Sequence, residues 1–216
     1  MDLDLAYKVS SMLASRAFHD LAGPVSALTN GLSFLDESDD SNIVKMARKH
    51  LDESAVSLSA RLEYFRLMLG RRSVAEIGWD KVHQIVHTYW ERSENISLDW
   101  SSKQRPMRKL DSSEFLRAFM CALLACGDAL SRGGTLSVQE LSDRNLRVRV
   151  QGHGLVPDAA SFTMLTQMPT LLEKVTPRLA PAAWVFLFAQ AQGAAPDVYE
   201  QKTEPDVGTV MVALTR

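Results

Sequence analysis

Three observations predict an α+β protein in two parts, a paired helical hairpin followed by a layer of helices on a mostly antiparallel sheet. Apolar residues repeat with heptad spacing through the first seventy positions. From about residue 76 the pattern changes to short alternating apolar runs separated by glycine turns. The chain has 216 residues, 46% hydrophobic and 23% charged, a mixture that can bury a core without disulfides or metals. The split falls between 1–74 and 75–216.

The first arm follows from Phe18, Leu21, Val25, Leu28, Leu32 and Leu35, a 3-4-3-4-3 spacing that marks a helix packing lengthwise against others. Val9, Met12, Leu13 and Ala17 extend it upstream. Pro24, with Gly23 before it, removes one helical hydrogen bond. The stripe continues unchanged across it, so a kinked helix is expected there rather than a break. An acidic turn at 36–41 follows, with Asp40 or Ser41 able to cap the next helix. The second arm carries Leu51, Ala55, Leu58, Leu62, Phe65 and Leu69, and stops near Gly70 with Arg66, Arg71 and Arg72 at its carboxyl end. Two striped arms cannot both be covered within one hairpin. A homodimeric four-helix bundle is the natural solution.

In the second part, 79–92 reads as a helix and 97–100 as a short strand. Ser112 or Ser113 opens a helix through Phe115, Leu116, Phe119, Met120, Leu123 and Leu124. Gly133-Gly134 turns the chain into a strand at 135–138. Leu146, Val148 and Val150 alternate with Arg147 and Arg149, the mark of a half-buried strand. A helix is expected over about 179–192, with Trp184, Phe186, Leu187 and Phe188 in the core, and a last strand over 209–214. Helices layered on a mostly antiparallel sheet fit this order.

Composition excludes several classes of function. A formal charge of -2 gives no bulk attraction to nucleic acid or to anionic lipid. No run of about 18 apolar residues is present, and Met1-Asp2-Leu3-Asp4 lacks the basic region of a signal peptide. Cys121 and Cys126 match neither a redox pair nor a zinc spacing and read as buried, reduced thiols of a cytoplasmic protein. His83 and His87 could share a helix face, but no third metal ligand is evident and both read as surface residues, as does His50. His153 reads as a loop residue.

The sharpest local feature is Ser15-Arg16-Ala17-Phe18-His19-Asp20-Leu21-Ala22-Gly23-Pro24. His19 follows the stripe residue Phe18, so one face of its ring should be open to solvent. An exposed imidazole is largely neutral at cell pH and so nucleophilic. The Asp20 carboxylate can accept a hydrogen bond from one ring nitrogen and leave the other with its lone pair outward. Arg16, one turn earlier, can pair with an incoming phosphoryl oxygen. On composition alone the pair reads as a surface histidine; its context gives it another meaning.

The run HDLAGP resembles the H-box of sensor histidine kinases, in which a histidine, an acidic residue and a proline five positions on sit in a dimerising helix. SRAFHDLAGPVSALTNGLSFL is more specifically similar to the ChpT-type histidine phosphotransferases of alphaproteobacteria. The resemblance covers the whole chain and implies that the second part has the fold of the kinase ATPase domain. The boxes of an active ATP site are missing from it. The positions for magnesium-binding asparagine hold Ala122 and Cys126, neither a ligand for a hard cation. The DxGxG box keeps Gly152 and Gly154, but Val150 stands at the aspartate position. The segment 176–182, where a glycine-rich lid should lie, contains no glycine. Gly133-Gly134 and Gly208-Thr209 still match the family's strand turns.

The resemblance therefore implies a phosphotransferase that does not phosphorylate itself. His19, with Asp20, would accept a phosphoryl group from the aspartyl phosphate of one receiver domain and pass it to another. Mg²⁺ would come with the receiver, and this chain would bind no cofactor. Members of the family relay phosphate from a hybrid kinase to cell-cycle response regulators. Arg16, Gly23 and Pro24 would support the site, while Leu28 and Asn30 lie where a docked receiver helix can reach. Gly23 stands where bifunctional kinases carry a Thr or Asn that orients water, so weak phosphatase activity is expected. Two alternatives remain at this point: an autophosphorylating kinase with an unusual ATP site, against which the missing boxes argue, and a scaffold in which His19 is incidental.

Overall fold

In the computed structural model the described residues are 3–37, 40–93, 95–100, 113–130, 132–141, 145–153, 155, 160–204 and 207–215. The hairpin is built from α1 (Leu3–Glu37) and α2 (Ser41–Leu69). α1 runs unbroken across Pro24. Gly23 lacks the Cβ that a following proline ring would crowd in a helical conformation. α2 is capped by Asp40, one of the two expected caps, whose carboxylate accepts from the Asn42 amide at 2.8 Å. The arms approach closely: a Cβ on Gly31 would lie 2.9 Å from the Leu51 side chain.

The apolar stripe has two faces. Val9, Leu13 and Ala17 are buried, and Leu21, Leu28 and Leu35 are half-buried. Phe18, Val25 and Leu32, one heptad apart, are 73%, 48% and 56% exposed. On α2, Phe65 is buried and Leu51 and Leu58 half-buried, whereas Ala55 and Leu62 are exposed. Half of the stripe covers the chain's own core, and the other half lies open.

The second part comprises α3 (Val74–Ile77), α4 (Trp79–Glu91), β1 (Ile96–Asp99), α5 (Ser113–Asp128), β2 (Gly134–Leu141), β3 (Asn145–His153), α6 (Ala160–Leu171), α7 (Ala180–Ala191), β4 (Ala195–Glu204) and β5 (Val207–Thr215). The sheet order is β1-β2-β3-β5-β4. β1 and β2 are parallel and every other pair antiparallel. Val148 and Val150 of β3 are buried and Arg147 and Arg149 exposed, as their alternation predicts. The expected helix at 112–113 starts at Ser113; Ser112 lies outside the described residues, as does Gly154. His153 is the last residue of β3, not a loop residue, because it pairs with Val207. α3, α6 and β4 have no counterpart in the sequence reading.

The hairpin and the second part share one core. Val9 and Leu13 of α1 and Tyr64 and Met68 of α2 pack in the same cluster as Trp90, Phe115 and Phe119. The buried Tyr64 hydroxyl donates to the Met120 carbonyl at 2.8 Å, and its ring stacks on Tyr89 with centroids 4.1 Å apart. The end of α2 is capped from the second part. Arg117 of α5 donates to the carbonyls of Met68, Leu69 and Gly70 at 2.9, 3.2 and 3.1 Å. Arg66, Arg71 and Arg72, expected near that end, point to solvent; Arg117 approaches from the packed side and takes the carbonyls.

Candidate phosphotransfer site

His19 sits on α1 directly after the buried Ala17 and the exposed Phe18, and its side chain is 84% exposed. Its Nδ1 lies 3.2 Å from Asp20 Oδ1. A proton on Nδ1 donates to that carboxylate and leaves the Nε2 lone pair facing solvent. Asp20 is itself fixed. Its Oδ2 accepts from Arg16 Nε at 2.7 Å, and its backbone carbonyl faces Arg61 Nη1 at 3.5 Å.

Arg16, one turn before His19, is turned inward, with its side chain only 13% exposed. Its Nη1 and Nη2 donate to the two carboxylate oxygens of Asp128, at the end of α5, at 2.8 and 2.9 Å. Three of its five N–H donors thus serve two carboxylates. Burial alone would lower its pKa, but the hydrogen bonds and charges of Asp128 and Asp20 outweigh burial and hold it above the ordinary arginine value. The fork ties the helix that carries His19 to the second part, and Asp20 to both. Sequence reasoning missed Asp128, which is 112 residues from Arg16 and carries no local signal.

The other expected residues fall along the same helix. Gly23 is exposed, and a Cβ there would have nothing within 4 Å. Gly23 and Pro24 border a cleft of about 280 Å³ between the arms, opposite Glu53 and Ser57. Leu28 is half-buried and Asn30 exposed, about 14 and 17 Å along the helix axis from His19.

The positions of the missing ATP boxes are filled. Ala122 and Cys126 are 1% and 0% exposed on α5, which packs against α6 and α7. Burial pushes the Cys126 thiol well above its ordinary pKa. Val150 is fully buried on β3. Gly152 is required by backbone crowding, since a Cβ would lie 2.5 Å from the Gly133 carbonyl oxygen. The glycine-free segment at 176–179 is a turn in which the amides of Leu179 and Ala180 both donate to the Thr176 carbonyl, at 3.0 and 2.9 Å. His83 and His87, expected on the surface, are half-buried and place Nε2 2.9 and 3.0 Å from the Trp100 carbonyl. No cluster of three or more metal-ligating side chains occurs among the described residues.

A family model described as histidine phosphotransferase C-terminal domain matches residues 79–203, more than half of the chain. The chain belongs to the histidine phosphotransferase family. The match falls on the second part of this phosphotransferase. A protein phosphotransferase ChpT of Brucella abortus (strain 2308) is 31% identical over 154 residues, which cover 69% of this chain and 70% of that protein. A solved structure described as a bacterial phosphotransferase superposes with a TM-score of 0.69 at 20% identity, over 98% of this chain and 97% of its own, and has the same fold. Histidine phosphotransfer in a phosphorelay is the activity that goes with this membership. Among the described residues no helix is long and apolar enough to cross a membrane.

Proposed function

We propose that His19 is the phosphoacceptor through which this phosphotransferase relays a phosphoryl group between aspartates of two receiver domains in the cytoplasm. The observation that carries the reading is an exposed imidazole whose Nδ1 faces a carboxylate that Arg16 holds in place. The Nε2 lone pair attacks phosphorus in line. The N–P bond forms as the P–O bond to the donor aspartate breaks, and that carboxylate leaves with the bonding pair. Nδ1 keeps its proton, so the phosphorylated ring is cationic and Asp20 stands against its charge. The second transfer is the reverse reaction, with another receiver's carboxylate as nucleophile. Such a displacement needs positioning and charge neutralisation more than covalent help. Mg²⁺ arrives with the receiver and this chain supplies no ligand for it. The receiver lays an apolar helix along α1 past Leu28 and Asn30.

The open half of the stripe supports a homodimer. Phe18, Val25 and Leu32 on α1 and Leu62 on α2 form apolar surface that a second hairpin would cover. A dimer by light scattering at micromolar concentration is expected, and the double variant Val25→Asp/Leu32→Asp should be monomeric. A monomeric wild type overturns the dimer.

The decisive test is transfer from a phosphorylated receiver to the full chain, with the phosphate mapped by mass spectrometry. It should reside on Nε2 of His19, and His19→Ala should abolish flow to a second receiver. Flow that survives His19→Ala makes His19 incidental. Label from ATP alone, without a donor protein, would make the chain a kinase; the buried Ala122 and Cys126 speak against that outcome.

A further inference from the structure

His19 opens onto a cavity of about 500 Å³. Arg16, His19 and Asp20 border it from α1, and Asp128, Thr176 and Arg178 border it from the second part. Its charges do not balance without Arg178. Arg16 serves Asp20 and Asp128, and these two carboxylates outnumber it. A phosphoryl dianion arriving on His19 would meet net negative charge at short range.

Arg178 is exposed, and its Nη2 donates to the backbone carbonyl of Asp128 at 3.1 Å. That acceptor is neutral, and no ion pair to a carboxylate forms at Arg178 among the described residues. One N–H anchors the fork at the cavity and four remain to donate. The backbone beneath is set by the two amide bonds onto the Thr176 carbonyl and by α7, which packs against α1.

We propose that Arg178 is a catalytic residue of the transfer: its guanidinium binds the oxygens of the phosphoryl group on His19 Nε2, with the Thr176 hydroxyl beside it. The segment at the position of a nucleotide lid would then be a phosphoryl clamp for a histidine. Planar, bidentate recognition of phosphoryl oxygens is what a guanidinium does best. A cation already in place also stabilises charge on the transferring group without reorganisation. This inference rests on His19 as the phosphoacceptor.

The test uses two donors, a phosphorylated receiver and phosphoramidate. In the second reaction the N–P bond to ammonia breaks and ammonia leaves, so no protein docks. With both donors, wild type should carry phosphate on His19 Nε2. Arg178→Ala should slow both reactions, by about tenfold to a hundredfold, as loss of a hydrogen bond to a charged group implies, and Arg178→Lys should fall between. The phosphohistidine ³¹P titration should move to higher pH in Arg178→Ala, because the lost cation favoured the dianion. Its melting temperature should stay at the wild-type value, since the side chain is exposed. If Arg178→Ala slows only the receiver reaction, the residue docks the partner and the proposal is overturned. Unchanged rates and an unchanged ³¹P titration also overturn it. Absence of phosphate on His19 in wild type with either donor is a different result: it removes the phosphoacceptor reading, and this inference with it.

Discussion

Removing the Asp128 carboxylate should show how firmly the second part holds the helix that carries His19. The fork between Arg16 and Asp128 has two hydrogen bonds, at 2.8 and 2.9 Å, and the side chains are only 13% and 15% exposed. Breaking a fully buried pair from one side costs about 3–5 kcal/mol, because the remaining charge stays desolvated and unpaired. Here Arg16 keeps Asp20, and both ends keep some contact with water. We therefore expect Asp128→Ala to cost about 2–3 kcal/mol. For a chain of this size that lowers the melting temperature by about 4–12 °C. Because the pair is largely shielded, raising salt to about 0.5 M should reduce the loss only slightly. Arg16→Met closes a double-mutant cycle, in which Asp128→Ala with Arg16→Met should be less destabilised than the sum of the singles by at least about 1 kcal/mol. Urea unfolding of the four proteins reads all of these. A single variant within about 0.5 kcal/mol of wild type, or an additive cycle, would refute the fork as a tie between the two parts.

Three further outcomes are expected. Tyr64→Phe removes the buried bond to the Met120 carbonyl and should cost about 0.5–1.5 kcal/mol, about 1–6 °C in melting temperature; no change would mean that bond adds nothing. Burial, then the charge of Asp20, pushes the Tyr89 phenol up to about 12, and burial likewise raises Tyr64, Cys121 and Cys126. Each group is still protonated when its unfolded counterpart has ionised, so stability should hold up to about pH 9 and fall between about pH 9 and 12, by roughly 1.4 kcal/mol per unit for each such group; a flat unfolding free energy up to pH 11 would contradict this. Wild type should accelerate decay of receiver aspartyl phosphate only weakly, because Gly23 offers no side chain to orient water, and Gly23→Asn should raise that rate; fast decay in wild type without back-transfer to His19 would contradict it.

Much of the fold is legible in the sequence wherever local rules and tertiary demands agree. The heptads, the Asp40 cap, the Gly133-Gly134 turn and the alternation around Val148 each state what the backbone does. α6 and β4 are not legible, for different reasons. The sequence of α6 includes Pro169 and shows no clean period of one apolar face. Among the described residues β4 pairs with β5 alone, at the sheet edge, where Pro196, Asp197 and Lys202 replace the apolar alternation of an inner strand. The stripe on the hairpin was readable, but not that Val9, Leu13 and Ala17 face the second part while Phe18, Val25 and Leu32 face outward. The site divides the same way. Arg16, His19 and Asp20 stand out because helical spacing places them together. Asp128 and Arg178 do not, since only the packing of α5 and α7 against the hairpin brings them to His19.

The burial at the positions that the resemblance assigns to nucleotide boxes and the presence of these two residues at His19 fit one physical account. A nucleotide site needs an open helix face for its metal ligands and a lid free to move. α5 instead buries Ala122 and Cys126, and the segment before α7 is a turn fastened to Thr176 and to the Asp128 carbonyl. Filling the cleft gives the second part a continuous core with the hairpin, from Leu13 and Tyr64 through to Phe119. That continuity fixes the approach of Asp128 and Arg178 to α1, which mobile domains would not. Side chains already in place stabilise transferring charge without reorganisation at the moment of reaction. The second part of this phosphotransferase therefore brings Asp128 and Arg178 to the cavity that His19 borders on the neighbouring helix.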